Sequence, residues 1–314
     1  MTEQPKPATT TPAGAPVASP ILPSSGRPSF FRSTSLPIVF LRMILYVAAL
    51  LAIGSVLFLL FRQRGVDSAA LSSAELFIRE TLTLTAALGA SLLLAKLERR
   101  APGSYGLPIR RAFGKLFWQG TILGLVEISA VVGLIAAFGG YRFGSLAFSS
   151  ATLLRWGLFW AVFFIIVGLV EEFIYRGYVQ FTLAQGAGFW PAATLLSALF
   201  GLVHLANRGE NWAGAAGVFV TGMFWCLTLR RTGNLWFAVG MHASFDFGET
   251  FVFSVPNSGA VFEGHLSNAV LHGPSWLTGG SVGPEGSVFD FLLLGVFFYL
   301  FHRWCPAESK TPGR

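Results

Sequence analysis

Charged and imidazole side chains stand inside long apolar runs of this chain, spaced by one helical turn. One run closes with Val170-Glu171-Glu172-Phe173-Ile174-Tyr175-Arg176-Gly177. Positions four apart share a helix face, so Glu172 lies beside Arg176, while Glu171 points about 100° away. Arg176 then neutralises Glu172 and steadies the helix, and Glu171 is free to polarise a water. The next run closes with Phe200 and His204, again on one face. A later run carries His242 and Asp246, which could bond to each other, bind a metal together, or both face a substrate carbonyl. Each motif alone has a bland reading: two carboxylates sharing one arginine, an interfacial histidine, a structural His–Asp pair. Two carboxylates, an arginine and two histidines on three apolar segments together read as a reaction centre.

The elements that must position these residues are membrane helices. Of 314 residues, 53% are hydrophobic and 12% charged, about half the charge of a soluble domain. A spanning helix needs about 20 mostly apolar residues, and the chain has room for about eight: 37–61, 76–97, 116–138, 152–180, 189–206, 213–229, 234–253 and 287–304. The fold expected is an all-α polytopic bundle of about eight transmembrane helices around an intramembrane catalytic cavity. Residues 1–35, rich in Pro, Ser, Thr and Ala, read as a disordered tail, and 307–314 as a C-terminal tail. Spans one and two (36–97) precede a catalytic domain over 98–306. Cys226 and Cys305 give no zinc spacing and no disulfide framework.

Charge inside a bilayer costs about 2.5–3.5 kcal/mol per group even on the lenient scale, which singles out Glu127 and Glu249 beside the residues above. Glu127 reads as an interhelical hydrogen-bonding residue, with a supporting role at the site as the alternative. Arg42 is expected to snorkel, and Arg79 and Glu80 to pair at the interface. The basic stretch 98–115 is expected in the headgroup region. The Gly/Pro/Ser-rich loop 254–286, with His265 and His272, is expected to re-enter or cap the bundle. The net charge of +7 is explained by residues flanking the spans, so nucleic acid is not an expected partner. With eight spans, the basic clusters fall on one side and both termini are cytoplasmic; Arg62 and Arg64 run against this. Counting along the spans also puts Glu171 toward the cytoplasmic half of the fourth and His204 toward the far end of the fifth. For them to meet, the segment 173–190 must bend back or the fifth span must begin later, and Gly186-Ala187-Gly188 would permit a break.

The motifs resemble those of the CAAX prenyl protease type 2 and bacteriocin-processing (CPBP) membrane proteins: EExxxR at Glu171-Glu172…Arg176, FxxxH at Phe200…His204, and HxxxD at His242…Asp246. RGYVQ, SALFGLVHL, RTGNLW and YGLPIRR add to the likeness, which covers roughly 98–253. The resemblance implies an intramembrane endopeptidase acting on a membrane-associated protein or peptide, in a bacterial inner (plasma) membrane. It implies Glu171 as general base, His204 as water-positioning residue and His242 as oxyanion donor, with Glu172, Arg176 and Asp246 completing the catalytic set. Peptide hydrolysis needs a base, an electrophilic stabiliser and a route for protonating the amine, which Glu171, His204 and His242 can supply. Where relatives often have Asn, Asp246 stands; ionised, it cannot donate a hydrogen bond. It is protonated, or orients His242, or binds metal. No cofactor is required by the motifs, but His204, His242, Asp246 and Glu171 would make an ordinary zinc set, although HExxH is absent. A proton-coupled transporter and a catalytically silent immunity or scaffold protein are the rival functions.

Overall fold

The computed structural model describes residues 33–62, 72–101 and 103–305. The expected tails, apart from residues 33–35, and Arg64 lie outside the described residues. Ten α-helices are described: α1 (Leu36–Arg62), α2 (Ser73–Leu97), α3 (Lys115–Ala137), α4 (Ser150–Arg176), α5 (Tyr178–Ala187), α6 (Phe189–His204), α7 (Trp212–Thr232), α8 (Trp236–Phe247), α9 (Ser275–Thr278) and α10 (Val288–Trp304). By length and composition, α1, α2, α3, the α4–α5 pair and α7 can each cross a membrane. The shorter α6, α8 with its π-helical continuation Gly248–Val252, and α10 complete the set. The chain is an all-α polytopic membrane protein. Large apolar side chains point outward along the spans, as at Ile44, Leu51, Leu92, Ile122, Leu154, Leu195 and Leu292, where lipid takes the place of water.

Helix α8, which carries His242 and Asp246, is clamped by α3 through small residues. Gly120 and Gly124 stand one turn apart on α3; a Cβ on them would run into the Phe237 carbonyl and into the Met241 carbonyl and Ser244 hydroxyl, respectively. From the other side, a Cβ at Gly240 would meet the Phe117 carbonyl. Close backbone approach at small residues is the main packing device between membrane helices, where no hydrophobic drive favours association. A Cβ added at Gly168 of α4 would come within 3.1 Å of the Val239 carbonyl, so α8 is held on two faces.

The geometric difficulty between Glu171 and His204 has a structural answer. The helical hydrogen bonds run on through Gly177, whose N–H bonds to the Phe173 carbonyl (3.0 Å) and whose carbonyl accepts from Phe181 (3.1 Å). Helix α5 climbs antiparallel along α1: Tyr178 stacks on Tyr46 at 4.7 Å, Gln185 bonds Arg42 at 3.1 Å, and Gly186 abuts Leu36 and Val39. The reversal comes at Gly188, in the left-handed region at φ 88°, a backbone state glycine reaches at little cost. The fourth span therefore ends at Ala187 rather than near 180, and needs no bend back into the membrane. Glu171 and His204 lie about equally far from Gly188, roughly 25 Å of helix on each arm, and so face each other.

Arg42 does not snorkel. It is fully buried, with Nη2 2.8 Å from Glu98 Oε2 and Nε 2.9 Å from Oε1. Tyr105 and Tyr178 donate to the same carboxylate at 2.8 and 2.5 Å, and Arg100 lies 3.1 Å away. The stretch 98–115 thus divides: Glu98 and Tyr105 lock α1, α2 and α5 together, while Ile109, Arg110 and Arg111 are exposed. Hydropathy cannot tell a snorkelling arginine from a paired one, because the partner comes from another helix.

The two ends of the bundle differ. At one, the start of α1 meets the end of α5, Arg230 lies over the Phe189 ring (5.2 Å), and Arg231 contacts His302 (3.1 Å). Residues 33 and 305 are therefore at the same end. The opposite end carries the cap expected from 254–286. Tyr141–Arg142 (β1) pairs antiparallel with Val270–Leu271 (β2). Glu263 accepts from Ser73 at 2.8 Å and its carbonyl accepts from Trp160 Nε1 at 3.2 Å.

Candidate active site

Glu172 and Arg176 sit in the last two turns of α4, both fully buried, with Arg176 Nη1 3.0 Å from Glu172 Oε1. The guanidinium also lies over the rings of Phe200 (4.3 Å) and Trp225 (5.3 Å), contacts worth about 0.5–2 kcal/mol each. There is no room for a side chain at Gly222, where a Cβ would strike Arg176 Nη2. The i,i+4 pair expected from the sequence is present, and α6 and α7 close around it.

Glu171 points elsewhere. Its side chain is 28% exposed and its Oε2 has no hydrogen-bond partner among the described residues. That oxygen lies 4.0 Å from His204 Nε2 and 3.7 Å from His242 Nε2. His204 Nδ1 is 2.7 Å from the Phe200 carbonyl. A carbonyl only accepts, so Nδ1 carries the hydrogen and Nε2 is the nitrogen turned toward Glu171. His242 is nearly buried and stacks on Trp225 at 4.5 Å with rings 17° apart. Its Nδ1 faces Glu172 Oε1 at 3.2 Å, and its Nε2 faces Asp246 Oδ2 at 3.4 Å. Glu172 thus bridges Arg176 and His242, a link between α4 and α8 that helical spacing does not reveal.

All six sequence candidates are brought together. Glu171, His204, His242 and Asp246 line a cavity of about 300 Å³, with Glu172 and Arg176 behind them. Asn257, Ser258, Ala260 and Phe262 of the cap line its far side; His265 and His272 do not. Arg79 and Glu80, expected as an interfacial pair, are paired at 3.2 Å and also line this cavity. Glu127 is buried, reaches the cavity, and its Oε1 makes no hydrogen bond among the described residues; Glu249 is buried on the π-helical turn. Sequence reasoning passed over Trp225, Glu285 and Asp290. Asp290, an acid just inside an apolar run, could have been found by the rule that singled out Glu127. Trp225 carried no signal, since an apolar aromatic in a span is ordinary. In the turn outside the spans, burial and the neighbouring Glu210 push the Glu285 carboxyl well up from its usual range.

Among the described residues, no three His, Cys, Asp or Glu side chains are arranged to hold a metal ion. Zinc ligands at about 2.0–2.1 Å in a tetrahedron stand roughly 3.4 Å apart. Glu171 Oε2 is farther than that from both histidine nitrogens. Among the described residues these side chains are therefore not spaced as a tetrahedral set, although His242 Nε2 and Asp246 Oδ2 stand 3.4 Å apart.

A polytopic bundle with a capped cavity, and with carboxylates and two histidines at its wall, defines an integral membrane protein with a polar intramembrane site. Residues 153–248 match the family described as type II CAAX prenyl endopeptidase, Rce1-like. The matched segment, under a third of the chain, runs from α4 to the end of α8 and holds all six candidate residues, so this part of the chain is similar to the CAAX-type membrane peptidases. No curated protein and no solved structure matches the chain.

Proposed function

We propose that the chain is an intramembrane endopeptidase in which Glu171 activates a water against a peptide carbonyl of a membrane-associated protein or peptide. The observation that carries this reading is the unpartnered Oε2 of Glu171, at the edge of a cavity and at water-bridging distance from two histidines on two other helices. A water there donates one hydrogen to Glu171 and the other to His204 Nε2, leaving a lone pair for attack. Glu171 takes the proton as the oxygen adds to the carbonyl, then passes it to the departing amine. His242 donates from Nε2 to the developing oxyanion. Both its ring nitrogens face carboxylates: Glu172 fixes the ring through Nδ1, and the Nε2 hydrogen, held toward Asp246 in the resting site, turns to the oxyanion as charge develops. Arg176 Nη1 and His242 Nδ1 both lie against Glu172 Oε1. No step passes through a metal.

Residues 33 and 305 lie at the end of the bundle where Arg230, Arg231, Arg110 and Arg111 also lie. By the positive-inside rule this end is cytoplasmic, in a bacterial plasma membrane, with the cap 254–286 on the other face. The decisive experiment compares cleavage of membrane-tethered fluorogenic peptides by the purified protein and by Glu171→Gln. Cleavage lost in a folded variant supports the reading, and cleavage by both overturns it.

A further inference from the structure

Among the described residues, the cavity wall carries six carboxylates: Glu80, Glu127, Glu171, Asp246, Glu285 and Asp290. Among the same residues Arg79 is the one arginine or lysine on that wall, and it is paired with Glu80. Glu171 and Asp246 face the histidines, and Glu285 accepts the Ser258 N–H. Glu127 of α3 and Asp290, in the first turn of α10, are left over. Each is 2% exposed, and Glu127 Oε1 and Asp290 Oδ1 have no hydrogen-bond partner among the described residues. They lie near enough to act on each other electrostatically. An acid in a first helical turn is ordinarily satisfied by water or free N–H groups; at Asp290 the oxygen is instead walled into a membrane cavity. Buried carboxylates without compensation cost several kcal/mol, and ionisable groups at such depth mark the path of a ligand. Beside them, Phe163, Phe164 and Val218 give an apolar wall. At about 300 Å³, the space is at the small end of ligand pockets, room for one long side chain.

We propose that the cavity accepts a lysine or arginine side chain of the substrate. Its cationic head sits against Glu127 and Asp290, its aliphatic stem lies along the aromatic wall, and its backbone is presented to Glu171. The inference rests on the hydrolytic reading only for that last point. Binding is tested without catalysis by thermal unfolding of the detergent-solubilised protein with n-butylguanidinium and with its neutral isostere n-butylurea. The guanidinium is expected to stabilise wild type and Glu171→Gln alike, butylurea neither, and Glu127→Gln/Asp290→Asn is expected to lose at least tenfold in apparent affinity. Equal responses to the two probes overturn the proposal, as does an unchanged double variant or stabilisation by magnesium or calcium alone. If the double variant does not fold, the wild-type comparison decides by itself. In the second arm, acylated peptides carry lysine or norleucine beside the scissile bond. Lysine is expected to raise kcat/KM at least tenfold in wild type and to bring no gain in the double variant; no preference in wild type overturns the proposal. If wild type binds butylguanidinium but cleaves no peptide, the hydrolytic reading fails and the cation pocket stands.

Discussion

Replacing Glu171 and Glu172 in turn by glutamine separates chemistry from architecture, because adjacent residues of one type have opposite surroundings. Glu171 Oε2 makes no hydrogen bond and its side chain is 28% exposed, so the glutamine variant keeps its fold. It loses the base, which ordinarily contributes about 10²–10⁴ in rate, or roughly 3–5 kcal/mol of barrier at about 1.4 kcal/mol per decade. Glu172 is fully buried, 3.0 Å from Arg176 and 3.2 Å from His242. Its neutralisation leaves the Arg176 guanidinium buried without a counter-ion, which costs about 3–5 kcal/mol of stability, a large share of the 5–15 kcal/mol typical of a folded protein. The cation–π contacts to Phe200 and Trp225 exist before and after, so they do not offset the loss. The assay pairs thermal unfolding in detergent with single-turnover cleavage of a fluorogenic membrane-tethered peptide. Glu171→Gln is expected at wild-type stability with activity down at least a hundredfold, and Glu172→Gln with both reduced. Activity above a tenth of wild type in Glu171→Gln, or wild-type stability in Glu172→Gln, refutes the division of roles.

Three further outcomes follow from the geometry. Asp246→Asn keeps an acceptor for His242 Nε2 and is expected to retain kcat within about tenfold, a larger loss in the same cleavage assay showing that the charge itself is needed. Chelator is expected to leave cleavage by the purified protein unchanged, since among the described residues no three His, Cys, Asp or Glu side chains are arranged to hold a metal; loss of activity restored by zinc would reverse that conclusion. Gly124→Leu drives a side chain into the Met241 carbonyl and Ser244 hydroxyl. It is expected to abolish a monodisperse folded peak in size-exclusion chromatography, while Gly133→Leu, with open space around its Cβ position, does not.

The sequence by itself determined the solvent and the chemistry. Apolar runs of spanning length admit only helices, because backbone polar groups in lipid must be satisfied within the segment. The one-turn spacings Glu172–Arg176, Phe200–His204 and His242–Asp246 are properties of a single helix, and the first and last pairs are found as ion-pair contacts. What joins different helices was decided only by the tertiary structure. The Glu172–His242 bridge, the Trp225 stack, the burial of Arg42 on Glu98 and the recruitment of Asp290 into the cavity each depend on a partner outside the residue's own helix. So does the meeting of Glu171 with His204, which depends on how far the helix runs past Gly177 before Gly188 turns it. Periodicity fixes which residues share a face; only packing fixes which faces meet.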